Sequence, residues 1–125
     1  MANRLSLDGW RSLERDELPA ASAALERSVA LDPQNPVARY RLGRVLQARN
    51  DDVAALPHFE AAIRAARTCP APILATAYLE AARLHERAGH RDQALGYYRA
   101  AATQFGASTD TRVAAARALK RLSAG

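Results

Sequence analysis

The sequence predicts an all-α fold built by stacking antiparallel helix pairs, and three observations carry that prediction. Alanine dominates an apolar fraction of 49%, while aromatics make up only 6%, so the core consists of short side chains that let helix backbones approach closely. No alternating run rich in Val, Ile or Thr occurs, so the usual signature of strands is missing. The third observation is internal repetition. Three segments, Gly9 to Pro33, Gly43 to Ile63 and Ala82 to Ala102, share one spacing of small and large residues. In each, a small residue is followed at a fixed interval by alanine: Gly9 and Ala21, Gly43 and Ala55, Ala82 and Ala94. A large apolar residue follows one helical turn later, at Leu25, Phe59 and Tyr98, and then a small one at Ser28, Ala62 and Ala101. Small residues at a helix crossing permit close packing, and the large residue fills the space between neighbouring pairs.

Taken in order, the punctuation predicts about seven helices. The first, over 3–15, carries Trp10 and Leu13 and stops at Asp16-Glu17. The second, over 18–31, carries Ala21 and Leu25, and Leu31-Asp32-Pro33-Gln34-Asn35-Pro36 ends it and restarts the chain. A third helix over 36–49 gives way at Asn50-Asp51-Asp52 to a fourth over 52–67. Pro57 inside that fourth helix removes one backbone hydrogen bond and is expected to bend it. Thr68 to Pro72 read as an inserted loop, and helices over 72–88 and 91–104 flank the Gly89-His90 turn. The last helix, over 109–122, places Ala115, Ala118, Leu119 and Leu122 on one arc, with Arg117, Lys120 and Arg121 opposite. That is the pattern of a lid with a polar back. The expected organisation is one domain over 1–125, with repeats at about 2–35, 36–69 and 73–107, a loop at 68–72 and the lid at 109–122.

The repeat resembles the tetratricopeptide family, whose unit is a helix–turn–helix of about 34 residues. Leu42-Gly43 followed by Ala55, Phe59 and Ala62 is the fullest match, and the likeness runs from about residue 3 to about residue 105. Three departures stand out. Gly43 to Ala82 spans 39 positions, the third repeat closes on Phe105-Gly106 without a proline, and Asp8 and Ser12 occupy places that are apolar in the family. The resemblance implies a right-handed α-solenoid in which the first helix of each pair lines a concave groove that takes an extended or helical peptide. Carried over by position, the groove residues are Val37, Tyr40, Arg41, Arg44 and Gln47, then Thr76, Leu79, Glu80, Arg83 and Glu86, with Trp10 and Leu13 on the same side. For Trp10 two readings stand: an exposed anchor, or a ring packed on the neighbouring helix.

The net charge of +5 is carried by arginine, Lys120 being the one lysine, and guanidinium groups favour acidic partners. Arg44 and Arg83 share one repeat position, so they are expected to hold an acidic side chain or a C-terminal carboxylate. The alternative pairs them with Glu80 and Glu86 on a solvated face. The Lys and Asn clamp of the family is not reproduced. The expected function is therefore a non-enzymatic adaptor that binds an acidic peptide or protein segment in the groove. A scaffold that self-associates into a homo-oligomer through uncapped repeat ends is the alternative, because no lid precedes the first repeat.

Catalysis, cofactors and metals are not expected. The sequence holds no glycine-rich phosphate loop, no G-x-S-x-G elbow and no Cys/His cluster. His85 and His90 stand five apart, about 140° around a continuous helix, which separates them as metal ligands; His85 is read as a packed residue and His58 as isolated. Cys69-Pro70 has a weak likeness to haem-responsive Cys-Pro motifs, and an unpaired loop thiol is the simpler reading. Nucleic-acid binding is disfavoured, since basic residues alternate with acidic ones and form no aromatic-interleaved stripe. A single cysteine, no leader-like start and apolar runs far short of the roughly 20 residues that span a bilayer lead to a cytoplasmic location as the expectation.

Overall fold

The computed structural model describes residues 18–124, so the helix expected over 3–15, with Gly9, Trp10 and Leu13, lies outside the described residues. Those described form six helices: α1 (Leu18–Leu31), α2 (Pro36–Ala48), α3 (Asp52–Arg64), α4 (Ala71–Arg87), α5 (Arg91–Thr103) and α6 (Thr109–Ala124). No strand occurs among them.

Local chemistry sets the helix ends. The Asn35 carboxamide oxygen accepts from the amides of Val37 and Ala38 at 3.0 and 3.2 Å, and Pro36 takes a first-turn place where no backbone donor is lost. Asp51 accepts from the Ala54 amide at 3.1 Å and starts α3 in the same manner. The ends of α2 and α4 are copies of one another. Asn50 at φ 61° and Gly89 at φ 85° turn the chain through the left-handed region. The next amide then reaches back, Asp51 to the Leu46 carbonyl at 2.9 Å and His90 to the His85 carbonyl at 2.8 Å.

The helix expected over 52–67 stops at Arg64. From Ala65 to Cys69 the chain tightens into turns, with Ala66 donating to Ile63, Thr68 to Ala65 and Cys69 to Ala66. Ala71, read as loop from the sequence, joins Pro72 in the first turn of α4, where proline is tolerated. Pro57 leaves α3 as one helix. Its missing donor orphans the carbonyl of Val53, which is 87% exposed, so the cost falls at the surface.

Packing follows the small–large spacing. Ala55, Phe59 and Ala62 are fully buried, as are Ala94 and Ala101, with Tyr98 nearly so. Gly43 is required by its neighbour: a Cβ built there would stand 2.9 Å from the Phe59 ring. One core cluster joins α1, α2, α3 and α4 around Leu42, Phe59 and Leu84. A second joins α4, α5 and α6 around Leu79, Tyr98 and Ala115. Ala115 and Ala118 are buried and Leu119 and Leu122 half-buried against this cluster, while Arg117, Lys120 and Arg121 face out.

In the first repeat the spacing does not translate into burial. Ser28 is exposed and Leu25 half-buried, whereas Leu18, Ser22 and Val29 are the buried residues. Among the described residues α1 has only α2 as a substantial neighbour, so fewer of its positions are covered. Ser22 is satisfied by Arg49, whose guanidinium donates to its hydroxyl at 3.2 Å.

The helices form two layers. Successive helices pack as neighbours, and α2 also approaches α4, and α4 approaches α6, more closely than α3 approaches α5. A stack whose even-numbered helices converge in this way curves toward them, so α2, α4 and α6 form the inner layer.

Candidate binding groove

An apolar pocket of about 520 Å³ lies between α1 and the inner-layer helix α2, lined by Ala21, Ala24, Leu25, Tyr40, Arg41, Arg44 and Val45. Its small residues come from α1, and Tyr40 with Val45 supplies the wall from α2. The Tyr40 ring meets Phe59 edge-on, centroids 5.8 Å apart, so this wall is braced from the core. Burial holds the Tyr40 hydroxyl above its ordinary pKa, with Arg44 pulling the other way. Arg41 and Arg44 are exposed and give the pocket a cationic rim.

Next to this pocket, Arg44 and Arg83 meet on an internal carboxylate, the Glu80 pairing of the alternative reading. Arg44 Nη1 lies 3.5 Å and Arg83 Nη1 3.3 Å from Glu80 Oε2, and Gln47 Nε2 donates to Glu80 Oε1 at 3.3 Å. The Glu80 side chain is 9% exposed, while each arginine side chain is 42% exposed. The open two-arginine clamp is thus replaced by a compensated cluster whose guanidinium groups still reach solvent. Arg44 also donates to the Tyr40 hydroxyl at 3.4 Å, which ties the cluster to the pocket.

The remaining groove candidates separate. Val37 and Thr76 are half-buried, and Thr76 spends its hydroxyl on the Pro72 carbonyl at 2.9 Å. Leu79 is a correction: at 5% exposure it belongs to the α4–α6 core, because α6 covers that side of α4. Glu80 is likewise buried. Glu86 sits in a second, polar depression of about 430 Å³ with Arg83, Arg87, Tyr98 and Arg121. There it accepts from Nη1 and Nη2 of Arg121 and from the Tyr98 hydroxyl, the last at 2.7 Å. Arg121 first, then Tyr98, holds the Glu86 carboxyl below the usual carboxylate range. Trp10 and Leu13 lie outside the described residues.

Ala21, Ala24 and Leu25 had not been assigned to the groove, because position alone gave it to the first helix of each pair. Their signal is the run of small residues from Ala20 to Ala24 in α1. Arg121 was seen only as part of a polar back, although it bridges α6 to α4.

The histidines correct the spacing argument. The α4 helix ends at Arg87, and the left-handed turn at Gly89 folds His90 back, so the two Nδ1 atoms lie 3.0 Å apart. His85 Nε2 lies 3.3 Å from Glu60 Oε2, where the carboxylate accepts. His85 is buried, as its packed role implied. His58 is not isolated, since its Nδ1 accepts from Arg39 at 3.1 Å, and burial, then Arg39, lowers its pKa. Among the described residues no three His, Cys, Asp or Glu side chains gather as a metal site. Cys69 is buried within its loop, and burial pushes its thiol pKa up, the opposite of an activated cysteine. No helix among the described residues is long and apolar enough to cross a membrane.

No protein-family model and no curated protein matches the sequence. Among solved structures the chain is similar to PcrH, determined in complex with the chaperone binding region of PopD. The identity is 19%, the match covers 98% of this chain and 91% of that one, and the TM-score is 0.71. At this identity the likeness is one of fold, and the fold is a tetratricopeptide-like helical repeat.

Proposed function

We propose that this chain is a non-enzymatic binding module that takes a peptide or protein segment, with an acidic one favoured, on its inner layer. The observation that carries the reading is the apolar pocket between α1 and α2, bordered by the exposed Arg41 and Arg44. A pocket of small apolar residues with charged groups at its edge suits an apolar side chain flanked by carboxylates. The similarity to PcrH, which was solved with a segment of PopD bound, supports the same use of the fold here.

Peptides selected against the purified protein from a random library provide the test. Selected sequences should pair a large apolar residue with Asp or Glu. Ala24→Trp, which fills the pocket, should weaken their binding at least about tenfold by fluorescence anisotropy. Arg41→Glu should weaken the acidic sequences by a similar factor. Folded variants that both bind like the parent protein would overturn the reading.

A further inference from the structure

We propose that Glu80 is a specificity-determining residue of this groove: its carboxylate is a built-in occupant of the Arg44 and Arg83 guanidinium pair, which an acidic ligand must share or displace. The inference rests on the binding reading above and adds which contact limits the recognition of carboxylates.

Three observations lead to it. Among the described residues the donors to Glu80 are Arg44 and Gln47 from α2 and Arg83 from α4, all of the inner layer. The carboxylate is shielded at 9% side-chain exposure while both arginines are 42% exposed, so a ligand meets the guanidinium groups and not the acid. Arg44 is shared, since it lines the apolar pocket and also contacts Glu80 and the Tyr40 hydroxyl. A ligand carboxylate beside an apolar anchor in that pocket therefore competes for the guanidinium that Glu80 already holds.

The physical consequence is a graded response to ligand charge. With Glu80 ionised, two cations and one anion leave a single net positive charge at the site. With it neutralised, two guanidinium groups face the ligand without a counter-ion, and each forms stronger charge-assisted hydrogen bonds to an incoming carboxylate. Apolar anchoring does not depend on Glu80, so only the acidic component of binding should change.

The experiment compares two labelled peptides with the same selected apolar anchor, one bearing flanking glutamates and the other glutamines. Affinities are measured by fluorescence anisotropy for the parent protein, Glu80→Gln, and Glu80→Gln combined with Arg44→Gln and Arg83→Gln. Circular dichroism verifies each fold, and Glu80→Met serves as a second neutral variant of similar volume. In Glu80→Gln or Glu80→Met the preference for the glutamate peptide should rise about tenfold with the glutamine peptide unchanged, and the triple variant should abolish the gain. A purely structural carboxylate would alter stability and both affinities together, without changing their ratio. Saturable binding of both peptides with an unchanged ratio overturns the role of Glu80 and leaves the groove reading intact. Failure of both peptides to bind every folded variant overturns the groove reading and the role of Glu80 with it.

Discussion

Tyr97 and Tyr98 are adjacent in sequence, yet their hydroxyls serve carboxylates on different helices. Tyr97 donates to Glu60 of α3 at 2.9 Å and Tyr98 to Glu86 of α4 at 2.7 Å. Burial, and then the hydrogen bond to the neighbouring carboxylate, pushes each phenol up to about 12. An unfolded tyrosine releases its proton near about 10. The folded chain therefore holds these two protons more tightly, so their contribution to stability is full below that value and is lost as the pH climbs toward about 12. A spectrophotometric titration should show at least two of the four tyrosines ionising late, with Tyr97→Phe and Tyr98→Phe each removing one late phenol. The sequence showed Tyr98 as the large residue of its repeat. It did not show Glu86 as its acceptor, because that contact depends on how α4 and α5 cross.

The helices show which glycines are required and why. Gly43 faces the Phe59 ring across the α2–α3 crossing, and an added Cβ would come within 2.9 Å of it. Gly43→Val should destabilise by about 1–3 kcal/mol through overpacking, read from chemical denaturation. Gly89 has open space around it but sits at φ 85°, so Gly89→Ala should cost about 1 kcal/mol from the backbone alone. Gly96 lies within α5 with neither constraint, and Gly96→Ala should stabilise by about 0.5–1 kcal/mol. The first of these was legible in the sequence as the small member of a spacing. The Gly89 turn was legible too, but not its effect of closing His90 onto His85, because spacing arguments assume a helix that continues.

Across the described structure, basic residues are spread over helices that also carry their acidic partners. Arg44 and Arg83 meet Glu80, Arg87 meets Asp52, and Arg121 meets Glu86. The net charge of +5 is therefore not gathered into one stripe along these pairs. Retention on a nucleic-acid column at low salt should be negligible, since the cations of these pairs are already matched by carboxylates and are not free to replace counter-ions on a phosphate backbone. Strong retention that falls steeply with added salt would contradict this expectation. Convergence of α2, α4 and α6 gives the molecule an inner side, and the apolar pocket at its α1 end is where a ligand side chain fits.

By itself the sequence determined the all-helical class, the order of α1 to α6 and most of their ends. Proline, Asn and Asp caps and left-handed turns act within a few residues, so neighbouring letters are enough to read them. The repeated small–Ala–large spacing likewise identified Phe59 and Tyr98 as core before any packing was known. Tertiary structure alone decided what meets across helices. It put Glu80 between two arginines, buried Leu79 under α6, and joined alanines of α1 to Tyr40 of α2 as a pocket. Those outcomes depend on crossing angles and on the length of the α3–α4 connection, which bring together residues far apart in sequence.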